Sequence, residues 1–347
     1  MPSATLALAA PAVPDPHDAP AIRWGILAPG GIAAVFAEAV ARHTASRIVA
    51  VGSRDADRAG AFAAEHGIER AHGSYAALVA DPEVEAIYVA SPHSAHHEHA
   101  LLALHAGKPV LIEKAFARNL RETDEILAAA DAGGLLAVEA MWSRYLPHYD
   151  VVARTITAGT LGEVVLVTGD HGQLLWPNGP ARLAEPELAG GALLDLGVYP
   201  LHFADVVLGG LDAVTGAGTL TELGVDATNL VTAHGPAGGV ASLRSTMAAA
   251  SACRGTVVGT AARLELDGVF YDPTTVRLVT PDGVEVDRFT PTDTSKPLGF
   301  AYQAAEFARL LGQGRTDGVS VPRAATRRVM AAMDKVRADL GVRYPGE

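Results

Sequence analysis

Short apolar runs alternate with helix-like stretches along the first third of this chain, and this alternation restricts the fold more than any other feature. Ile22–Leu27 and Arg47–Ser53 have the composition of buried strands, and apolar residues at helical spacing follow each of them. A repeated strand and helix order predicts a parallel α/β sheet, in which we expect six strands. The other predicted segments are the helices Ile32–Arg42, Ala56–His66, His97–Ala106 and Arg121–Ala132 and the strands Ile87–Ala90, Val110–Ile112 and Leu135–Val138.

The pattern changes near residue 163, where strand-like runs begin to follow one another through turns such as Pro281-Asp282-Gly283. This order predicts an α+β domain with a large, mostly antiparallel open sheet. We expect a flexible arm over residues 1–20, a first domain over 21–142 and a second domain over 143–347. The predicted strands are Val164–Gly169, Val214–Thr221, Asn229–Ala233, Gly239–Thr246, Arg254–Val258, Ala262–Leu266 and Thr275–Val279, followed by helices near Tyr302–Leu311 and Arg323–Leu340.

Composition excludes several classes of protein. Of 347 residues, 49% are hydrophobic and 19% charged, which is typical of a globular protein with a large interior. The formal net charge of -12 argues against binding to nucleic acid or to an anionic membrane surface. Because Cys253 is the single cysteine, no internal disulfide can form, and a reducing cytoplasm is expected. No apolar run is expected to reach membrane-spanning length, and the amino-terminal residues lack the basic stretch of a secretory signal.

The loop after the first strand has features of a phosphate-binding turn. Residues 25–33 read Gly-Ile-Leu-Ala-Pro-Gly-Gly-Ile-Ala and open the first helix, whose unpaired N–H groups attract an anion. Glycine permits close approach of the backbone to a pyrophosphate, although only the central position of the usual three-glycine pattern is glycine here. An ordinary Gly-Gly turn is the alternative. The candidate cofactor-binding residues of this loop are Ala28, Gly30, Gly31 and Ile32.

The end of the second strand favours NADP over NAD. An NAD site usually has an acidic residue there, about twenty residues past the loop, to bind the ribose. This chain instead has Ser53-Arg54, and hydroxyl and guanidinium groups suit a 2′-phosphate. We add Arg58 to the candidate cofactor-binding residues. A solvated Arg54, or a site of dual specificity that uses Asp55, is the alternative.

Two further loops end at the same predicted edge of the sheet. Residues 91–99 contain Ser91, Pro92, His93 and His96, which we expect beside the nicotinamide and not around a metal ion, because no further ligand follows at suitable spacing. The fifth strand ends in Glu113-Lys114, and an ammonium group in the ligand crevice can stabilise a developing alkoxide. A surface ion pair is the alternative reading of Glu113 and Lys114.

The segment Gly190–Pro200 supplies a second set of candidates. It places Asp195 and Tyr199 four residues apart, about one helical turn. A carboxylate and a phenol on one side of a helix can order a substrate and exchange a proton. A buried aromatic residue with a satisfied hydroxyl is the alternative for Tyr199.

Together these motifs resemble, in order and spacing, the glucose–fructose oxidoreductase/inositol dehydrogenase/rhizopine-catabolism family over about residues 21–340. The segment Glu139–Pro147, with tyrosine at 199 where much of the family has histidine, is most similar to the branch of dimeric dihydrodiol dehydrogenases and NADP-dependent xylose dehydrogenases. The resemblance implies a Rossmann domain followed by a domain whose open sheet forms the interface of a homodimer or homotetramer.

The resemblance also implies an activity: an NADP(H)-dependent oxidoreductase, with NAD as the alternative cofactor, that acts on a secondary or anomeric CH–OH of a sugar, cyclitol or cyclic diol. Lys114 and Tyr199 are the implied proton-handling pair, and Asp195 orders the substrate. Trp142, Arg144 and Trp176 are candidates to line the cofactor or substrate site, although core packing or a surface ion pair explains each equally well. A cofactor-bound sensor without turnover and a redox-assisted glycoside-cleaving enzyme are alternatives.

One position departs from the family pattern. The family motif is Glu-Lys-Pro with a Lys-Pro bond that tends to be cis, whereas this chain has Ala115 after Lys114. A cis bond before a residue other than proline costs about 3–4 kcal/mol. The chain therefore either keeps a cis bond or turns Lys114 differently, and we expect the lysine to reach the crevice in either case.

Overall fold

The computed structural model describes residues 6–347, which form two compact units. The first, here called the parallel-sheet unit, comprises residues 14–145 and 295–330. The second, the mixed-sheet unit, comprises the described residues up to 13 together with 146–294 and 331–347.

The parallel-sheet unit is built on six strands, all paired in parallel, in the order β3-β2-β1-β4-β5-β6. This strand order is that of a doubly wound dinucleotide-binding sheet, so the prediction of fold class is confirmed. Strand β3 was not located from the sequence, because it is short and only partly buried. The strands are β1 Arg23–Leu27, β2 Arg47–Gly52, β3 Arg70–His72, β4 Ala86–Val89, β5 Val110–Glu113 and β6 Ala137–Ala140; the helices are α1 Gly31–His43, α2 Ala56–His66, α3 Tyr75–Val79, α4 His96–His105 and α5 Leu120–Gly133.

The mixed-sheet unit contains eight strands in the order β14-β13-β12-β11-β7-β10-β9-β8. Only β7 and β10 pair in parallel, and the other neighbours are antiparallel, as predicted. Strand β14 was missed because its mostly exposed, charged sequence has no apolar alternation. The elements are α6 Pro147–Thr157, β7 Val164–Gly172, α7 Ala181–Ala184, α8 Val198–Leu208, β8 Asp212–Leu220, β9 Asp226–His234, β10 Val240–Thr246, β11 Gly255–Gly259, β12 Arg263–Leu266, β13 Val276–Val279 and β14 Glu285–Phe289.

The last two helices, α9 Lys296–Gly312 and α10 Arg323–Leu340, change the predicted domain boundary. Phe307 on α9 packs against Trp24 of β1 with ring centroids 4.8 Å apart, and Trp24 in turn contacts Phe36 of α1. Residues 295–330 therefore belong to the parallel-sheet unit, and 143–347 is not one continuous domain. This contact could not be predicted from local sequence patterns, since Trp24 and Phe307 are far apart in the chain.

Residues of the expected flexible arm make hydrogen bonds with the mixed-sheet unit where the structure describes them; residues 1–5 lie outside the described part. The amide of Leu8 donates to Asp287 Oδ2 at 2.8 Å, and that of Ala12 donates to Asp150 Oδ2 at 2.6 Å. A short 3-10 turn, Pro16–Asp18, follows. Prolines keep this segment out of regular secondary structure, but the amides of Leu8, Ala9 and Ala12 are satisfied by side chains of the mixed-sheet unit.

One stretch, Pro186–Leu208, is long and apolar enough to span a membrane by length and composition, contrary to the sequence expectation. Its most apolar window is 89% buried inside the protein, as in the core helix of a globular fold. The segment ends in α8, in which ten of eleven residues are buried. Its apolar character is therefore accounted for by packing within the mixed-sheet unit.

Asp226, at the start of β9, is a fully buried carboxylate in the mixed-sheet unit. Its Oδ2 accepts hydrogen bonds from the backbone N–H of Leu193 and from Asn229 Nδ2, both at 2.8 Å. No described residue donates to Oδ1. Burial raises the pKa of Asp226 to about 7, although its two donors act in the opposite direction.

The aromatic contact between α9 and β1 predicts a large effect of Phe307→Ala. Phe307 is 1% exposed, so its removal leaves a cavity against Trp24. We expect a loss of about 3–5 kcal/mol in the free energy of unfolding of the parallel-sheet unit, measured by urea denaturation. Phe62→Ala, at a half-buried site on α2, is the control and should cost distinctly less. Equal losses would contradict the assignment of α9 to this core.

The raised pKa of Asp226 predicts a pH-dependent stability. The folded protein holds this proton more tightly than the unfolded chain, whose usual value is 3.8. The contribution is therefore full below about pH 4 and is lost as the pH rises to about 7, with an upper limit of about 4 kcal/mol. We expect Asp226→Asn to flatten this decline, measured as the difference in unfolding free energy between about pH 5 and pH 8. Asp212→Asn, at an exposed site, should keep the wild-type slope.

Candidate functional site

The loop between β1 and α1 has the geometry that a phosphate group requires. Ala28 has a positive φ of 73°, a conformation that turns the chain sharply at the end of the strand. Gly30 is the N-cap of α1 and no side chain caps the helix. A Cβ placed on Gly30 or Gly31 would meet nothing within 4 Å, so the space before the helix N-terminus is open. Backbone N–H groups in the first turn, including those of Gly31 and Ile32, suit a pyrophosphate there.

The charged residues that follow β2 make different contacts. Asp55 caps α2, because its Oδ1 accepts the N–H groups of Asp57 and Arg58 at 3.0 and 3.1 Å. Arg58 donates to the carbonyl of Pro29 at 2.6 Å and so connects α2 to the loop between β1 and α1, here called the nucleotide loop. The side chain of Ser53 is buried and accepts the N–H of Asp55. Arg54 is exposed and makes no hydrogen bond or ion pair with any of residues 6–347, which leaves its guanidinium for a ligand.

The loop after β4 holds the segment after β5. His93 Nε2 is hydrogen-bonded to the carbonyl of Lys114 at 3.1 Å, and His96 Nδ1 to that of Ala115 at 2.8 Å. His96 Nε2 is also hydrogen-bonded to the carbonyl of Ser91, at 2.7 Å. The Lys114–Ala115 bond is cis. The structure thus gives both histidines backbone partners around Lys114, where we expected contacts with the cofactor.

His96 is fully buried, and this fixes its charge. Two carbonyl acceptors favour the protonated ring, but burial outweighs them and lowers the pKa of His96 to about 4. The ring is neutral at pH 7 and donates a single N–H. Both of its nitrogens are hydrogen-bonded to carbonyls, so the ring connects Ser91 with the segment after Lys114.

Ser91 and Glu113 lie at the carboxyl ends of the adjacent strands β4 and β5. Glu113 is buried; it accepts a hydrogen bond from the hydroxyl of Tyr88 and another from the backbone N–H of Lys114. Glu113 is therefore held within the protein by contacts on both sides of its carboxylate. Ser91 Oγ is buried without a partner among the described residues, as expected of a hydroxyl that faces a ligand. Pro92 follows it as the residue before the His93–Ala95 turn.

Trp142 and Arg144 both contact residues of the 295–330 segment of the parallel-sheet unit. Trp142 is 4% exposed, and its ring stacks on Phe300 of α9 with centroids 4.7 Å apart. Arg144 Nε donates to the carbonyl of Ser320 at 3.0 Å. These contacts favour the core-packing alternative for Trp142 and a structural role for Arg144.

In the mixed-sheet unit, the Gly190–Pro200 segment is not a regular α-helix. Leu193–Gly197 forms a π-helical turn that runs directly into α8, and such turns are common at functional sites. Asp195 lies on the π-helical turn, 6% exposed, and forms an ion pair with Arg182 at 3.1 Å. Tyr199 is on the first turn of α8. The sequence placed Asp195 and Tyr199 on one helix but missed both the π-helical turn and Arg182.

Tyr199 belongs to an aromatic cluster that the sequence did not reveal. Its ring centroid lies 5.1 Å from that of His171 on β7 and 4.6 Å from that of Tyr271. Gln173 Nε2 connects the other two rings, 2.9 Å from His171 Nε2 and 3.2 Å from the hydroxyl of Tyr271. Trp176 lies half-buried a few residues beyond, after the end of β7. Tyr271 stands between β12 and β13, and no local pattern signals its approach to Tyr199.

Within residues 6–347, no group of three or more His, Cys, Asp or Glu side chains has the arrangement of a metal site.

Comparison with known proteins gives the family. The amino-terminal model of the GFO/IDH/MocA oxidoreductase family, described as an NAD-binding Rossmann fold, matches residues 22–140, and the model of its carboxyl-terminal domain matches 149–265. Trans-1,2-dihydrobenzene-1,2-diol dehydrogenase of Xenopus laevis is 32% identical over 94% of this chain and 100% of its own length. The Bos taurus enzyme of the same name is also 32% identical, over 94% and 98%.

Among solved structures, a 3-ketoreductase from Actinomadura kijaniata in complex with NADP and TDP-benzene has a TM-score of 0.80 and 27% identity, over 92% of this chain and 98% of that one. The earlier resemblance is confirmed by the two family models and by the relatives that match along 94% of the chain, and this protein belongs to the GFO/IDH/MocA oxidoreductase family.

Proposed function

We propose that this protein is an NADP(H)-dependent oxidoreductase that acts on a CH–OH group of a cyclic diol, sugar or cyclitol. Support for the substrate class comes from the dihydrodiol dehydrogenases, which are about a third identical to this chain along nearly its whole length. The preference for NADP over NAD rests on the contacts of two charged side chains that follow β2. The carboxylate of Asp55 is used to cap α2, whereas the guanidinium of Arg54 is exposed.

The parallel-sheet unit fits the dinucleotide. The open helix N-terminus at Gly30 and Gly31 suits its pyrophosphate, and Ser53 with Arg54 suits a 2′-phosphate. The orphaned hydroxyl of Ser91, at the carboxyl end of β4, supplies a polar contact near the strand-order reversal between β1 and β4. When bound, NADP would supply hydride transfer at nicotinamide C4.

We assign proton transfer to Tyr199. In the reducing direction, the phenol donates its proton to the carbonyl oxygen of the substrate as the carbon accepts a hydride with its electron pair. In the oxidising direction, the same oxygen takes the proton of the substrate hydroxyl. Lys114 carries a positive charge that stabilises the developing oxyanion, and Asp195 accepts a hydrogen bond from a substrate hydroxyl.

The solved structures of the Actinomadura kijaniata ketoreductase include a lysine-to-alanine and a tyrosine-to-phenylalanine variant. The lysine and the tyrosine substituted there have nearly the same spacing in that chain as Lys114 and Tyr199 have here. This agreement supports the choice of these two residues for substitution.

A homo-oligomer in the cytoplasm is part of the proposal. The mixed-sheet unit exposes large apolar side chains, including Leu230 on β9, which is 53% exposed, and Leu220 on β8, which is 44% exposed. Such side chains on an open sheet face favour association with another subunit. The single cysteine fits a reducing compartment.

Arg54→Ala tests the cofactor assignment. Loss of a charge-assisted contact with the 2′-phosphate should weaken NADPH binding about 10- to 100-fold and leave NADH binding nearly unchanged, measured by fluorescence titration. Arg42→Ala, an exposed arginine at the end of α1, is the matched control and should bind both cofactors as the wild type does. Equal weakening of NADPH and NADH binding by Arg54→Ala would contradict a 2′-phosphate contact.

Tyr199→Phe and Lys114→Met test the catalytic assignment. The substrates are trans-1,2-dihydrobenzene-1,2-diol, D-xylose and myo-inositol, each offered with NADP and with NAD. We expect each variant to lower kcat about 10²- to 10⁴-fold, with little change in NADPH affinity, because general acid–base catalysis contributes a factor of that size.

The controls for these variants are Tyr149→Phe, a buried tyrosine of α6, and Lys335→Met, an exposed lysine of α10. Unchanged turnover in Tyr199→Phe would exclude it as the proton donor. Tight NADPH binding without turnover of any substrate in the wild type would favour the sensor reading of the sequence.

A further inference from the structure

The backbone just before Asp195 and Tyr199 is hydrogen-bonded to the carboxyl-terminal segment of the chain. The hydroxyl of Tyr344 donates to the carbonyl of Gly190 at 2.7 Å. Tyr344 is only 4% exposed, so this hydrogen bond is made away from water. The amide of Gly190 donates to the carbonyl of Glu185 at 3.1 Å. The N–H of Gly190 is therefore satisfied locally, whereas its carbonyl accepts from a residue 154 positions further along the chain.

Tyr344 is itself fixed by a buried ionic group. Arg337 of α10 lies over its ring, 4.6 Å from the centroid, and is 5% exposed. The guanidinium forms two hydrogen bonds with the carboxylate of Glu347, at 2.8 and 3.0 Å, and a third with Asp334 at 2.9 Å. Glu347 Oε2 also accepts the backbone N–H of Tyr344. We call residues 342–347 the latch, because these contacts hold the Tyr344 hydroxyl against Gly190.

Asp226 holds the next part of the same segment. Its Oδ2 accepts the N–H of Leu193, the first residue of the π-helical turn. Gly191 has a φ of 110°, and a Cβ there would lie 2.3 Å from Asp226 Oδ1. Only glycine permits this approach, so the carboxylate and the turn are fitted to each other. The charged and titratable groups that act on Asp226 are Arg337 and Tyr344, both from the carboxyl-terminal part of the chain.

We propose that Tyr344 and Asp226 are positioning residues for the substrate-binding segment: together they fix the backbone of Gly190–Leu193, from which the π-helical turn with Asp195 and the first turn of α8 with Tyr199 continue. Their catalytic consequence rests on the proposed function given above. Neither residue touches the reacting atoms. Their effect would be transmitted through the backbone, because small displacements of a catalytic group lower the rate even when the fold is intact.

Tyr344→Phe is the sharpest test, because it removes the one hydroxyl and keeps the ring under Arg337. Tyr149→Phe is the matched control, since it removes a hydroxyl from an equally buried tyrosine of the same unit. Hydrogen–deuterium exchange of the amides of residues 191–197 is measured on the full chain. We expect exchange to rise roughly tenfold in Tyr344→Phe and to stay unchanged in the control, with similar melting temperatures for both.

The second readout is kinetic. Tyr344→Phe should lower kcat for the substrate that the wild type turns over by roughly three- to tenfold, with the dissociation constant of NADPH unchanged. If Tyr344 had a purely structural role, Tyr344→Phe would lower the melting temperature and would not lower kcat while NADPH binding stays unchanged. Unchanged exchange in residues 191–197 would overturn the latch, and faster exchange with wild-type kcat would overturn the positioning role.

Asp226→Asn gives a check that does not depend on Tyr344. The amide oxygen still accepts the Leu193 N–H, but the group no longer ionises. We expect the wild type to show faster exchange of residues 191–197 at about pH 8 than at pH 6, after correction for the intrinsic rate, and Asp226→Asn to lose this difference. Persistence of the difference in Asp226→Asn would overturn the role of Asp226. If the wild type turns over no substrate, the proposed function fails, while the exchange measurements still decide whether the latch exists.

Discussion

Parallel pairing of all six strands is the constraint on which the candidate cofactor site depends. Parallel strands end at one edge, so the residues that follow β1, β2, β4 and β5 are gathered there whatever their separation in sequence. Helices cover such a sheet, and its buried strands tolerate almost no polar side chains within them. The chemistry is therefore concentrated at the strand ends, where Ala28, Ser53 and Ser91 begin the loops.

Contacts among these loops refine the site. Arg58 joins α2 to the nucleotide loop through the carbonyl of Pro29, and His93 and His96 join the loop after β4 to the Lys114 segment. A loop supported only by its own backbone would sample several conformations, whereas each of these is fixed by a side chain from its neighbour. The two histidines thus connect the loop after β4 to the Lys114 segment, while Ser91 Oγ of that loop has no partner among the described residues.

In the mixed-sheet unit too, the candidate catalytic segment is held by side chains from other parts of the unit, but this segment is helical. A π-helical turn and α8 carry Asp195 and Tyr199, and the support comes from Asp226 on β9 and Tyr344 in the latch. Burial of Asp226 costs stability once it is ionised, and Gly191 has the backbone conformation that a side chain would strain. Such losses of stability, in residues that contact a candidate catalytic segment, are typical of functional sites, where a required geometry is kept although it lowers the stability of the fold.

The sequence by itself determined the parallel sheet, the antiparallel character of the second sheet and the loop positions of Gly30, Arg54 and Lys114, because these follow from local periodicity and from the order of strands and helices. It also placed Asp195 and Tyr199 on adjoining helical turns, since both lie within one short segment. Only the tertiary structure decided that α9 packs on Trp24, that Tyr271 lies against Tyr199, that Trp142 is a core residue and that Tyr344 reaches Gly190. Each of these contacts joins residues far apart in the chain, and their approach depends on how whole elements pack, which a local pattern does not encode.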